Sequence, residues 1–393
     1  MLRSSSGKPT VYFTASDKLR TPQIADFVRA AAEWIAAPHL AESAPANWEA
    51  ALRLVVAAAP KDRKLLLVLD EFQWLCQSSP DVPSVIQRLW DLEWQRGNRL
   101  MLVLCGSFIG FMEREVLGAR SPLHGRRTAD LHLEPFGFQE AAAFHPNWSA
   151  EEQARAYFVC GGIPAYLNRF EPGRSVTQNI AREFFEIDGF FQREPDFLLR
   201  EELAEVKQAT SILEAIALGR RAQSDIARAV GLTASALAPH VKNLVSLGYL
   251  ERVVPLSPNR PPRTSVIYRV ADPLLRFWFR FIEPNWSTLR RYSAERAFEQ
   301  IVAPQWEAFC GEGFERLCRQ ALPLIYSREG ITGRFQVGEY WDRTVQIGVV
   351  GLRADGWAGA VALAGSFARL AAGSRSVGAI PTRRRAVHPG GSR

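Results

Sequence analysis

The sequence predicts an α/β fold: a parallel sheet wrapped by helices, followed by a helical segment and a small α+β remnant. Three observations carry this. Leu65-Leu66-Leu67-Val68-Leu69 and Leu100-Met101-Leu102-Val103-Leu104-Cys105 are continuous apolar runs, as expected of strands buried on both faces. Stretches with apolar residues at helical spacing alternate with these runs, the pattern of α/β architecture. After Gly161-Gly162-Ile163-Pro164 the character changes and helical spacing dominates.

Taken in order, Val11 to Ala15 reads as a short β-branched and aromatic strand. Thr21 to Trp34 is a helix with Ile24, Phe27, Val28 and Ala31 on one side, and Pro45 to Ala59 is a second. The run Leu65–Leu69 ends in Asp70-Glu71. Pro83 to Gln95 is helical, Leu100–Cys105 is the next buried strand, and Gly110 to Leu117 and Phe138 to Phe144 are helical. Leu131-His132-Leu133 is expected as a short strand between them. Ala204 to Leu250 is helical in three pieces, and Val266 to Val270 alternates like a wing strand. Pro273 to Trp286 is strongly aromatic, Phe309 to Leu322 is a helix, and two strands are expected near 333–337 and 344–351.

The chain has 393 residues, enough for two or three domains. Hydrophobic residues are 47% and charged residues 23%, as in ordinary soluble globular proteins. No apolar run reaches the roughly 18 residues of a membrane-spanning helix. The first residues have no apolar signal-peptide core, so the cytoplasm is the expected location. None of Cys76, Cys105, Cys160, Cys310 and Cys318 forms a C-x-x-C pair or has a His at ligand spacing, which argues against a zinc site or disulfide framework. The net charge of +7 is uneven. Arg353–Arg393 holds seven Arg against one Asp, and Val206–Asp272 holds nine Lys/Arg against four acids.

A buried strand ending in Asp70-Glu71 has the Walker B arrangement, because strand C-termini in an α/β sheet open onto the ligand crevice. The first carboxylate can hold Mg²⁺ and the second can polarise an attacking water. Taken alone, the pair fits equally well with a strand that happens to end in acids. Ser107 then ends the neighbouring apolar strand, where a group sensing a γ-phosphate belongs. Ser121 to Arg127 is a turn-rich loop with Arg126 and Arg127, which can stabilise transition-state charge or simply face solvent.

Leu67 through Trp74, Cys105-Gly106-Ser107-Phe108, Leu123-His124-Gly125-Arg126-Arg127 and Gly161 through Leu167 together resemble the prokaryotic AAA+ ATPases related to the STAND class. That family has an archaeal-type P-loop ATPase domain, a winged helix and a C-terminal DUF234 domain similar to PD-(D/E)xK nucleases. The resemblance implies a partial P-loop NTPase sheet using ATP and Mg²⁺. Asp70 would be the Mg²⁺ carboxylate, Glu71 the catalytic acid, Ser107 the sensor, and Arg126 or Arg127 the charge-stabilising arginine. The family's phosphate loop, G-x-x-x-x-G-K-[ST], would precede the strand Val11–Ala15. Gly7-Lys8 is the only Gly-Lys pair, and Pro9 follows it without a hydroxyl or an N–H. The expectation is an N-terminally truncated chain that binds ATP weakly or not at all.

Gln223 to Thr233 is a helix-turn-helix signal with Ile226, Ala227 and Val230 inward and Gly231 at the turn. Ala234 to Leu247 is the expected recognition helix, starting late or bending at Pro239. Its exposed face would offer Ser235, His240, Lys242 and Asn243 to DNA, and the wing would offer Arg260, Arg263 and Arg269. The competing reading is a protein–protein or intramolecular module, so the candidate partners are DNA, a protein partner or a second copy, and not a membrane.

In the C-terminal region Glu315 matches the first nuclease position, but Gly348 stands where the family pattern suggests Asp. No Lys follows Lys242 and no acid follows Asp355, so the Glu-x-Lys element of a metal-dependent nuclease is excluded. The Ala/Gly/Ser/Arg-rich end reads as a shifted reading frame or gene decay, with a basic nucleic-acid arm as the alternative. The expected domains are 1–170, a partial ATPase core lacking Walker A; 171–204, a helical lid or linker; 205–272, a winged helix-turn-helix; 273–356, a DUF234-like remnant; and 357–393, a basic disordered tail.

Overall fold

The structure, a computed structural model, describes residues 7–203, 205–256, 266–289, 291–330, 333, 335–341 and 346–353. The chain divides into two compact units, Met1–His132 and Leu133–Arg393.

In the first unit, β1 (Thr10–Thr14), β2 (Leu65–Asp70) and β3 (Leu100–Leu104) form a parallel sheet in the order β1-β2-β3. Parallel neighbours need crossovers, and helices supply them. α1 (Arg20–Trp34) and α2 (Trp48–Ala58) lie between β1 and β2, and α3 (Phe72–Ser78) and α4 (Val82–Leu89) between β2 and β3. The α1 spacing buries Ile24, Phe27, Val28 and Ala31. Asn47 caps α2 by accepting from Ala50 N at 2.9 Å. Because strand side chains alternate, Val11, Phe13, Leu65, Leu67, Leu69 and Leu100 enter the helix-covered core together. On the other face Met101 is 52% exposed.

The expected strand Leu131–Leu133 is not formed. Leu131 and Leu133 are 79% and 80% exposed, and no strand pairs with them among the described residues. The expected helix over Pro83–Gln95 is present as α4, with a π-turn at Trp90–Trp94.

The second unit is largely helical. α5 (Ala150–Cys160) packs on α9 (Pro273–Phe281), whose Leu274, Leu275, Phe277, Trp278, Phe279 and Phe281 are all buried. The aromatic run is therefore a central core helix. Asp272 caps it, accepting from Leu275 N at 2.7 Å.

α6 (Val206–Ala217), α7 (Gln223–Val230), α8 (Ala234–Ser246) and the antiparallel hairpin β4 (Leu250–Val253)–β5 (Ile267–Val270) make the winged helix. Gly231 turns between α7 and α8 at φ 71°, a left-handed conformation that glycine adopts without a Cβ penalty. Contrary to the late start expected at Pro239, α8 begins at Ala234 and continues through it. Thr233 caps the first turn by accepting from Ala236 N at 3.2 Å, and the backbone acceptor that Pro239 leaves unpaired belongs to exposed Ser235.

The chain then forms α10 (Trp306–Arg328) and the antiparallel pair β6 (Phe335–Trp341) and β7 (Gln346–Arg353). The expected wing residues Arg260 and Arg263 and the expected tail from Trp357 lie outside the described residues.

Candidate nucleotide site

Asp70 and Glu71 stand at the C-terminal end of the central strand, both half-buried. Phe72 N donates to Cys105 O at 2.8 Å and Cys105 N to Leu69 O at 3.0 Å, tying the end of β3 to this turn. Glu71 adopts φ 53°, ψ 45°, the left-handed region that a residue with a Cβ visits rarely. That strained backbone is held where the strand becomes α3, and strain of this kind is concentrated at functional sites.

Three side chains meet here. Ser107 Oγ donates to Glu71 Oε2 at 3.0 Å. Gln73 Nε2 donates to Ser107 Oγ at 3.1 Å and also to Glu71 Oε2. Gln73 is fully buried, and its Oε1 has no hydrogen-bond partner among the described residues. Gly106 makes room for it, since a Cβ there would lie 2.8 Å from both Gln73 Oε1 and Met112 Sδ. Asp70 has a different partner: Tyr12 on β1 donates to Asp70 Oδ2 at 2.5 Å. That hydrogen bond, with burial and the carboxylate charge, pushes the Tyr12 hydroxyl up to about 12. Burial, followed by Asp70 and Glu71, pushes the Cys105 thiol up, so it stays protonated.

The structure thus brings Glu71 and Ser107 into contact, with Asp70 adjacent in sequence. Neither arginine of the 121–127 loop has a described contact with them. Arg126 donates to both oxygens of Asp91 at 2.8 Å, and Arg127 pairs with Asp130 at 3.2 Å. Sequence reasoning missed Tyr12 and Gln73. Gln73 lies inside the Leu67–Trp74 motif, and a polar residue on the buried side of α3 was the available signal. Tyr12 gave none, because its partner is 58 residues away.

Asp70, Glu71 and Ser107 offer only oxygen, which suits Mg²⁺ held by one or two carboxylates plus phosphate oxygens. Among the described residues no cluster of three His, Cys, Asp or Glu could form an all-protein metal cage. Gly7-Lys8 lies at the opposite end of the sheet. Leu66 N pairs with Pro9 O at 2.9 Å, at the start of β1, so about 17 Å of parallel strand separates this pair from Asp70.

On the winged helix, α8 exposes Ser235, Lys242 and Asn243. His240 is partly covered, its Nδ1 3.2 Å from Glu205 Oε2. Arg269, expected as a phosphate contact on the wing, is instead enclosed against Glu339, because the C-terminal pair β6–β7 packs on the wing. At the expected nuclease position, a Cβ on Gly348 would lie 2.4 Å from the Glu315 carboxyl carbon, so Glu315 fills that space.

Residues 278–362 match DUF234, described as archaeal and bacterial proteins of unknown function, and residues 206–253 match the IclR helix-turn-helix domain. The chain is 30% identical over 312 residues to the uncharacterized protein MJECL04 of Methanocaldococcus jannaschii, covering 79% of this chain and 68% of that protein. A second protein of that organism, MJ0424, is 40% identical over 47 residues, 12% of this chain and 45% of its own length. Among solved structures, the Walker-type ATPase PABY2304 of Pyrococcus abyssi superposes with a TM-score of 0.50 at 16% identity, covering 70% of this chain and 85% of that one.

Proposed function

The chain belongs to one family with the uncharacterized protein MJECL04 and carries a winged helix and a DUF234 domain, and we propose that it is an AAA+-type ATPase in which Asp70, Glu71 and Ser107 are the hydrolytic half of an ATP site. The observation that carries this is the Glu71–Ser107–Gln73 network at the C-terminal end of a parallel strand. Glu71 is the base that orients water, and neutral donors hold its carboxylate without cancelling its charge. Ser107 bridges that base to the place where a γ-phosphate would sit. Asp70 is the residue to hold Mg²⁺, which when bound supplies charge neutralisation to the phosphates. Arg126 or Arg127 is the charge-stabilising arginine, on leaving Asp91 or Asp130.

We further propose that the described residues leave this site without a phosphate-binding loop, and so impaired. The only Gly-Lys pair is at the wrong end of the sheet, and the outer edge of β3 pairs with no strand among the described residues. Isothermal titration of the full chain with Mg-ATP tests this. Binding weaker than about millimolar is expected, and a ΔG° stronger than about −8 kcal/mol, which is micromolar affinity, would overturn the impairment. Any ATP turnover must vanish in Glu71→Gln, or the assignment of the base fails.

A second reading is favoured by the exposed α8 face: a non-enzymatic DNA-binding or protein-interaction module using Ser235, Lys242 and Asn243. A mobility-shift titration of the full chain against DNA tests it, with affinity expected to fall steeply with salt. No helix among the described residues is long and apolar enough to cross a membrane, and the cytoplasm is the proposed location.

A further inference from the structure

The wing is fastened by charge. Arg269 on β5 faces Glu339 on β6: Nη2 donates to Oε2 at 2.6 Å, and Nη1 contacts Oε1. Arg319 on α10 reaches the same carboxylate, its Nη1 3.0 Å from Oε1. The side chains of Arg269, Glu339 and Arg319 are 15%, 2% and 13% exposed. The contact continues along the winged helix. Arg316 Nη2 donates to Glu251 Oε2 on β4 at 3.2 Å, and Arg221 Nη2 to Glu312 Oε1 at 3.0 Å. Glu312, Arg316 and Arg319 recur at helical spacing, so one face of α10 meets Arg221, Glu251 on the wing and Glu339 on β6 in turn. The backbone joins in, with Leu256 N donating to Glu339 O at 2.6 Å.

We propose that Glu339 closes an autoinhibitory latch that keeps Arg269 from the phosphodiester backbone of a nucleic acid. This rests on the second functional reading above. A phosphate and a carboxylate are equivalent bidentate acceptors for a guanidinium. Glu339 occupies Arg269 in an enclosed site, where charge pairs are weakly screened. In the closed protein the described recognition helix α8 meets DNA with Lys242 as its one permanently charged cation. Neutralising Glu339 releases the wing arginine to meet a phosphate instead.

Fluorescence anisotropy of the full chain with a short random-sequence DNA duplex across a salt series tests the latch. Glu339→Gln is expected to bind several-fold tighter and to steepen the log–log salt slope by about one unit, the gain of one phosphate contact. Binding by both proteins with no gain in the variant overturns the latch alone. Binding by neither overturns the nucleic-acid reading and the latch with it. A second variant covers the case in which Glu339→Gln does not fold. The triple variant Arg269→Met, Glu339→Leu and Arg319→Leu replaces the whole buried triad by apolar groups, an exchange that proteins often tolerate. It is expected to bind DNA as the unmodified chain does, because Arg269 is already withheld there. A salt slope shallower by about one unit would show Arg269 at work in the closed protein and overturn the proposal.

Discussion

Glu71 and Glu339 are carboxylates at opposite extremes of use. Glu71 is half-buried, and a neutral amide and a hydroxyl hold it, so its charge is oriented but not cancelled. Glu339 is almost fully enclosed between two guanidiniums, so its charge is compensated and its oxygens are occupied. Neutral donors leave a carboxylate able to act on water or metal. Paired cations turn it into a structural tie. The first arrangement sits beside a strained backbone at a strand end, the second where two hairpins pack.

The largest effect that separates the two is on stability. Glu339→Ala leaves two arginines beside a buried, vacated site and is expected to cost about 3–5 kcal/mol in chemical denaturation. Glu71→Gln should cost far less, and an equal loss in both would erase the contrast. Next comes Gly106→Ala. Its Cβ would press on the ends of Gln73 and Met112, so a loss of about 1–2 kcal/mol is expected, with Gln73 displaced from Glu71 in a structure of the variant. An unmoved Gln73 would mean that the glycine is not what admits it.

The smallest effect concerns Tyr12. Its folded-state pKa, about 12, lies above the ordinary phenol value of 10.0, so the protonated hydroxyl is the stabilising form. Its contribution is fully present below pH 10.0 and is lost as pH rises through about 12. The hydroxyl is only part-buried, so the amount is about 1 kcal/mol or less. Tyr12→Phe should remove that amount at neutral pH and flatten the alkaline limb of the stability curve. An alkaline limb identical to that of the unmodified chain would sink the assignment.

Much of the first unit was legible in the sequence. Strand β2 and its acidic end follow from an apolar run too short for a helix and bounded by Lys64 and Asp70. The helix-turn-helix was legible too, because Ile226, Ala227 and Gly231 act on neighbours a few residues away. Leu131–Leu133 misled for the same reason. Its local pattern suits a strand, but a strand exists only when another pairs with it.

What the sequence alone determined was local: apolar periodicity, capping, the glycine turn and the position of Asp70-Glu71. What only the tertiary structure decided was which charges meet. Tyr12 finds Asp70 across 58 residues and Arg269 finds Glu339 across 70. Composition marks Arg269 as one more cation on a basic wing. Its enclosure by Glu339 makes it a tie, because a hydrogen bond or an ion pair depends on distance in space, and chain separation says little about that until the core has folded.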